Sequence, residues 1–328
     1  MHKVAQFTAK QREELFSETA RQMGTTNAIV EKDFWVIWVL SKIFSDVHLK
    51  KILMFKGGTS LSKVFNFIGR FSEDVDLILD WTLVTSDDPL ADRTNNKQDK
   101  FNKSINESAK VYIKTKILPA LSKLLAPLCE SKIDDEDAFS INVIYPSVFN
   151  DRYLRPEILL EIGPLASWLP SKEYEVQSFA AEYFPALFDT TKYKVNTIVA
   201  QRTFWEKATI LHHEANRPES SEMPTRYSRH YYDLAMMAKA NVKEDALNNF
   251  DLLENVVEFK KKFYPRGWAE YDNAKPGTLK LLPPSYRLVG LKKDYAAMSH
   301  MIFDKHLEFD EIINILRELE IQINHSVY

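Results

Sequence analysis

Residues 55–79 hold the groups best able to do chemistry. Asp74 and Asp76 stand one residue apart inside an apolar run, DVDLIL. In a strand, alternate side chains point to one face, so the two carboxylates share a face and Val75, Leu77 and Leu79 take the other. Adjacent carboxylates repel each other, and a divalent cation between them removes the repulsion. Upstream, Gly57-Gly58 closes the apolar run KILMF and leads into Thr59 and Ser60. A glycine turn that opens a helix presents backbone N–H groups to a phosphate. Metal and phosphate together mean nucleotide chemistry. The chain has only 8 glycines in 328 residues, so an adjacent pair carries information.

The elements around these residues follow from periodicity. Residues 8–22 and 28–45 read as amphipathic helices, the second dense enough in apolar residues to be a core helix. Residues 51–55 read as a buried strand, 59–67 as a short helix, GRFSED as a loop and 74–79 as the next strand. Residues 82–100 read as a polar loop. A long helix is expected over 101–126, kinked at Pro119. FSINVIY (139–145) and EILLEIG (157–163) alternate as strands, with a further strand expected at 173–179. After about residue 195 the pattern becomes helical, at 197–215, 228–241, 246–262 and 308–324. Residues 265–290, with PRGW, KPG and LPPS, read as irregular. The expected division is a domain over 1–195 and a helical domain over 196–328.

Composition narrows the function class. Lys and Arg total 43 against 46 Asp and Glu, a formal net charge of −3, so any nucleic-acid surface must be local. The segment 97–123 is such a place: seven lysines (97, 100, 103, 110, 114, 116, 123) face only Asp99 and Glu107, a net +5. It reads equally as a solvated helix surface. KKKFYPRGW at 260–268 mixes cations with rings, as single-stranded RNA sites do, or as an ordinary helix end does. The single cysteine, Cys129, excludes an internal disulfide and suits a reducing, cytoplasmic setting. No apolar run approaches the roughly 20 residues needed to span a membrane.

The site residues also carry a resemblance. Gly58-Thr59, a helix, then Asp74-x-Asp76 resembles the first motif of the polymerase-β-like nucleotidyltransferases. GGTSLSKVF…RFSEDVDL looks like the AbiEii/AbiGii toxin branch of that superfamily. EKDFWVIWVL, TFWEKATILHH (203–213), RYSRHYYDLAMM (226–237) and LVGLKKDYAAMSHMIF look like the same branch, so the resemblance spans nearly the whole chain. Thr59 stands where the superfamily usually has serine, and a hydroxyl is kept. The interval from Thr59 to Asp74 is slightly longer than usual.

This resemblance implies an α/β (α+β) fold: a polymerase-β-like nucleotidyltransferase domain with a small mixed sheet, followed by a mainly helical C-terminal domain. It implies transfer of a nucleoside monophosphate from an NTP to a hydroxyl, with magnesium or manganese ions held by Asp74 and Asp76. A third carboxylate is expected on a neighbouring strand. Glu161 is the candidate, on the reading that it lies deep in an apolar run and needs a partner; Glu157 is the substitute. Gly57, Gly58, Thr59, Ser60 and Arg70 are expected near the nucleotide.

Lys207 resembles the family lysine that faces the triphosphate; it also reads as a surface lysine paired with Glu206 or Glu214. Asp233 resembles the aspartate of the family's last motif, able to orient Lys207 or activate the attacking hydroxyl; it also reads as a helix-surface partner of Arg229. By resemblance the chain is the toxin of a toxin–antitoxin or abortive-infection system. The acceptor is then RNA, tRNA in particular, and a cognate antitoxin need not touch the toxin. Two other functions share these residues: transfer to a protein or to a small molecule such as an aminoglycoside, and a nucleotide-binding regulator without catalysis.

Overall fold

The structure, a computed structural model, describes residues 1–72, 74–151, 154–303 and 306–326. Glu73, in the GRFSED loop, lies outside the described residues. The chain forms two compact units: Met1–Val64 with Phe71–Ile198, and Phe65–Arg70 with Val199–Tyr328. The second unit thus includes a short piece of the loop before the Asp74 strand, which a single linear boundary does not express.

The first unit is built on a seven-stranded mixed sheet. Its strands are β1 (Leu53–Lys56), β2 (Asp74–Leu79), β3 (Glu130–Ile133), β4 (Ser140–Ile144), β5 (Glu157–Gly163), β6 (Ser171–Val176) and β7 (Tyr193–Ile198). Their order across the sheet is β3-β4-β5-β2-β1-β7-β6. β2 runs parallel to β5 and antiparallel to β1, and β1 runs parallel to β7. β3 and β7 were not expected from the sequence. β3, ESKI, is too short and polar to show alternation, and β7 runs into the helix Ala200–Ala215 with one residue between.

The helix Asn27–Ser45 forms the centre of the core, with every residue from Ile29 to Ser41 buried. A helix apolar all round must be enclosed, and this one packs on β5 and β7 and on neighbouring helices. Phe34, Trp35, Trp38 and Leu40 are almost wholly buried there, each contributing about 1.5–3 kcal/mol. Three consecutive charged residues, Glu31, Lys32 and Asp33, are buried with them. Glu31 accepts hydrogen bonds from Ser147 Oγ (2.8 Å), Val148 N (2.8 Å) and Phe149 N (3.2 Å), fixing that loop. Asp33 pairs with Lys63 at 2.5 Å and accepts from Phe179 N at 2.7 Å.

The long helix begins at Asn95, so the last residues of the expected 82–100 loop are helical. Instead of a sharp kink, Pro119 is accommodated by a π-helical turn, Ile113–Ile117, between Asn95–Tyr112 and Leu118–Leu125. Leu118 N–H donates five residues back to Ile113 O. Proline lacks an N–H, and its ring crowds the carbonyl four residues earlier; the wider turn relieves this.

The second unit is helical. Ala200–Ala215 packs on Ser228–Ala238, Val242–Leu247 and Phe250–Phe263, and Ser228–Ala238 packs on Leu288–Met298 and Phe309–His325. The expected 246–262 helix is broken at Asn248-Asn249, where the Asn249 side chain caps Phe250–Phe263 by accepting from Leu252 N. Leu288–Met298 begins inside the stretch read as irregular. No described helix is long and apolar enough to cross a membrane.

Candidate active site

In the first unit the alternation of β2 is realised. Val75, Leu77 and Leu79 are fully buried in the main core, while Asp74 and Asp76 are half-buried on the other face. Farther along that face Ile78 packs with Met54 and Ile198. Apolar packing thus holds the far end of the strand and leaves its beginning to the carboxylates.

Two neighbours of Asp76 follow from sheet register. On β1 its partner is Lys56, immediately before Gly57. On β5 its partner is Glu161. Glu161 therefore stands beside Asp76 on a neighbouring strand. It lacks the burial expected of it, however: Glu161 is exposed, and the buried residues of β5 are Ile158, Leu160 and Ile162. Glu157, the substitute, lies 3.5 Å from Arg155 and pairs in register with Ile144, away from Asp76.

Gly57 opens the helix Gly57–Lys63 with φ +80°, in the left-handed region. A Cβ built there would lie 1.8 Å from Asp76 Oδ2, so only glycine lets the carboxylate lie against this backbone. Thr59 and Ser60 are buried. The Thr59 hydroxyl donates to the Asp74 carbonyl, and Ser60 Oγ donates to Gly57 O at 2.8 Å. A hydroxyl has one proton to give, so both are committed to holding the turn and the start of β2. The far end of the same helix is anchored by the Lys63–Asp33 pair. Burial pushes the Asp33 carboxyl above its ordinary range, against the pull of the Lys63 ammonium.

The acidic set fits a hard divalent cation, since all its donors are oxygens. Among the described residues no three His, Cys, Asp or Glu side chains gather closely enough to enclose a metal by themselves. Magnesium does not require that: it keeps several waters and takes one or two carboxylates together with substrate phosphates. Asp74 and Asp76 meet that requirement.

The second unit holds a buried ionic cluster. Asp233 is fully buried and receives Arg70 Nε at 2.7 Å, Arg70 Nη2 at 2.8 Å and Lys207 Nζ at 2.7 Å. Lys207 Nζ also lies 3.1 Å from His230 Nδ1. Two sequence readings are corrected here, the pairings of Lys207 and of Asp233. Lys207 is not a surface lysine paired with Glu206 or Glu214. Asp233 is not paired with Arg229. Arg70, expected near the nucleotide, is buried and directs two donors to Asp233. Burial alone would raise the Asp233 carboxyl, but Arg70 and Lys207 outweigh it and hold it far below the usual carboxylate range. Burial holds His230 well below its ordinary value, with the charges of Lys207 and Arg229 acting in the same direction. No local pattern links Arg70 to Asp233, which lie 163 residues apart.

His212 and His213 are structural. His212 accepts from Lys280 N at 3.0 Å, and His213 packs on Trp268 with ring centroids 4.6 Å apart. Of the basic helix, Lys103 pairs with Asp99 and Lys110 with Glu107. Lys97, Lys100, Lys114, Lys116 and Lys123 remain exposed, with no ion-pair partner among the described residues. In KKKFYPRGW, Phe263 is buried and Trp268 packs on His213 and Arg217, so those rings serve the second unit's own packing.

No curated protein matches the chain. Among solved structures, MenT4, a nucleotidyltransferase toxin from Mycobacterium tuberculosis, is 16% identical, with a TM-score of 0.44 over 95% of this chain and 98% of that one. JHP933 from Helicobacter pylori is 13% identical, with a TM-score of 0.42 over 91% and 93%. The sequence profile described as nucleotidyl transferase AbiEii toxin, type IV toxin–antitoxin system, matches residues 38–315. That match includes Gly57, Asp74, Asp76, Glu161, Lys207 and Asp233, and the chain belongs to the AbiEii family of nucleotidyltransferase toxins.

Proposed function

We propose that this toxin transfers a nucleoside monophosphate from an NTP to a hydroxyl of RNA, tRNA in particular, with magnesium held by Asp74 and Asp76. The observation that carries the reading is the register of β2 and β5. It sets Asp74, Asp76 and Glu161 on adjacent strands, with the Asp76 carboxylate against Gly57 at a helix start. When bound there, a divalent cation neutralises charge on the reacting phosphate and helps hold nucleophile and leaving group in line.

The chain's own residues do the rest. Gly57 leaves room for Asp76 beside the turn, Thr59 fixes the start of β2 through the Asp74 carbonyl, and Lys63–Asp33 holds the helix in place. Lys207 is assigned to the polyphosphate, where an ammonium stabilises the departing pyrophosphate. The exposed lysines of 97–123 support an RNA acceptor, since phosphate backbones are bound largely through such charges.

The test incubates the protein with total RNA, magnesium and each α-labelled NTP in turn. Label in RNA is expected, absent with Asp76→Ala and after chelation. Label in protein with unlabelled RNA would overturn the acceptor, and undiminished labelling by Asp76→Ala would overturn the site.

A further inference from the structure

The cluster around Lys207 is incomplete without His230. This histidine stands three residues before Asp233 on Ser228–Ala238, a spacing that puts both on one helix face. An ammonium can only donate, so at 3.1 Å the Lys207 Nζ must donate to His230 Nδ1. Nδ1 is therefore unprotonated, and in the neutral ring the proton sits on Nε2. That Nε2–H makes no hydrogen bond among the described residues, and the ring is half-buried rather than sealed.

The surroundings are cationic. Lys207, Arg229 and Arg70 all act on His230, against the single carboxylate of Asp233. Arg229 is half-buried and makes no ion pair among the described residues. The Tyr227 ring closes one side, edge-on at 4.7 Å. Two of the three Lys207 protons are committed, to Asp233 Oδ2 and His230 Nδ1. Excess positive charge in a partly buried cluster is costly unless an anion joins it.

We propose that His230 is a binding residue of this site: its Nδ1 fixes the Lys207 ammonium, and its Nε2–H, beside Arg229, donates to the polyphosphate oxygens that Lys207 receives. The neutral ring supplies a directed donor and, through Nδ1, sets where the lysine's third proton points. The inference rests on the nucleotidyl-transfer reading only for naming the ligand as a nucleotide polyphosphate.

The test needs neither RNA nor turnover. Inorganic tripolyphosphate is titrated by calorimetry, without metal, into the full chain and into His230→Ala, His230→Asn and His230→Gln. His230→Ala is expected to weaken binding about tenfold, the scale of one hydrogen bond to a charged group. His230→Asn, which keeps an acceptor near Nδ1, and His230→Gln, which places a donor near Nε2, should each recover part of the loss. Nitrogen NMR of the imidazole should show the proton on Nε2, and a signal perturbed by tripolyphosphate.

Tripolyphosphate affinity within twofold of wild type in His230→Gln and in a folded His230→Ala would overturn the proposal. So would a proton on Nδ1, or no tripolyphosphate binding by the wild type. Binding with these losses but no labelling of RNA would leave this proposal standing and reject the transfer reading.

Discussion

The Asp76 carboxylate lies against the α-carbon of Gly57, so close that a Cβ at residue 57 would fall 1.8 Å from Oδ2. The glycine backbone has φ +80°. Two separate demands, conformational and steric, meet at one residue, and both serve the carboxylate most central to the proposed chemistry.

Gly57→Ala is therefore expected to cost about 1–3 kcal/mol from backbone strain and to displace Asp76 as well. Activity should fall more than the loss of folded protein accounts for. Thermal melting and α-labelled NTP transfer measured together check this. Gly163→Ala is the control, because a Cβ there meets nothing within 4 Å; equal losses in the two variants would count against the Gly57–Asp76 contact.

Thr59→Ser should be nearly silent and Thr59→Val should not. The hydroxyl donates to the Asp74 carbonyl from a buried position. Serine keeps that donor, whereas valine removes this hydrogen bond from the start of β2, at a cost of about 0.5–1.5 kcal/mol. Denaturant midpoints and transfer rates of the two variants are the measurement, and a valine variant indistinguishable from wild type would refute the role.

Asp233→Asn leaves Arg70 and Lys207 without the carboxylate that holds both. Removing one member of a buried charge network typically costs about 3–5 kcal/mol, so urea unfolding should show a large loss. Arg229→Gln, at a half-buried arginine without an ion pair among the described residues, should change stability by no more than about 0.5 kcal/mol. Comparable destabilisation by the two substitutions would contradict the observed pairing.

Stability should fall as pH drops below the ordinary histidine range of about 6.5. Burial, then the charges of Lys260, Arg217 and Arg266, holds His213 down to about 4. The unfolded chain then binds a proton that the folded chain refuses between those two values, which favours unfolding as pH falls. His212 and His230 are lowered in the same direction and add to the slope. Asp233 acts in the same direction but in a lower window: its depressed carboxyl loses its stabilisation only as pH falls below the ordinary carboxylate range, and it is silent between pH 7.5 and 5. Melting temperatures between pH 7.5 and 5 should decline, and His213→Phe should flatten the decline; an unchanged slope in that variant would reject the assignment.

How much was legible in the sequence depends on the distance over which each feature is encoded. The helices ending at Met23 and Ser45 and the strand Asp74–Leu79 lay within a residue or so of their expected bounds, because side-chain periodicity is local. β3 and β7 were missed, the first for want of alternation and the second because it joins a helix almost directly. Glu161 was chosen for burial it does not have, yet it stands in register with Asp76. Register is decided by strand pairing, which no single-strand pattern contains.

By itself the sequence determined that Asp74 and Asp76 share a face, that a scarce glycine pair precedes them, and that Lys207 and Asp233 lie in segments resembling one toxin family. Period-two alternation and short motifs suffice for that. Only the tertiary structure decided that Asp76 rests on Gly57, that Asp233 takes Arg70 and Lys207 in place of Arg229, and that His230 receives the Lys207 ammonium. Those pairings join residues 19 to 163 positions apart, and burial selects among the charged partners available. A helix-surface ion pair such as Arg229–Asp233 is worth a few tenths of a kcal/mol. A buried carboxylate stripped of its cations costs several kcal/mol, so the fold places Arg70 and Lys207 on Asp233 and forgoes the weaker helix-surface pair.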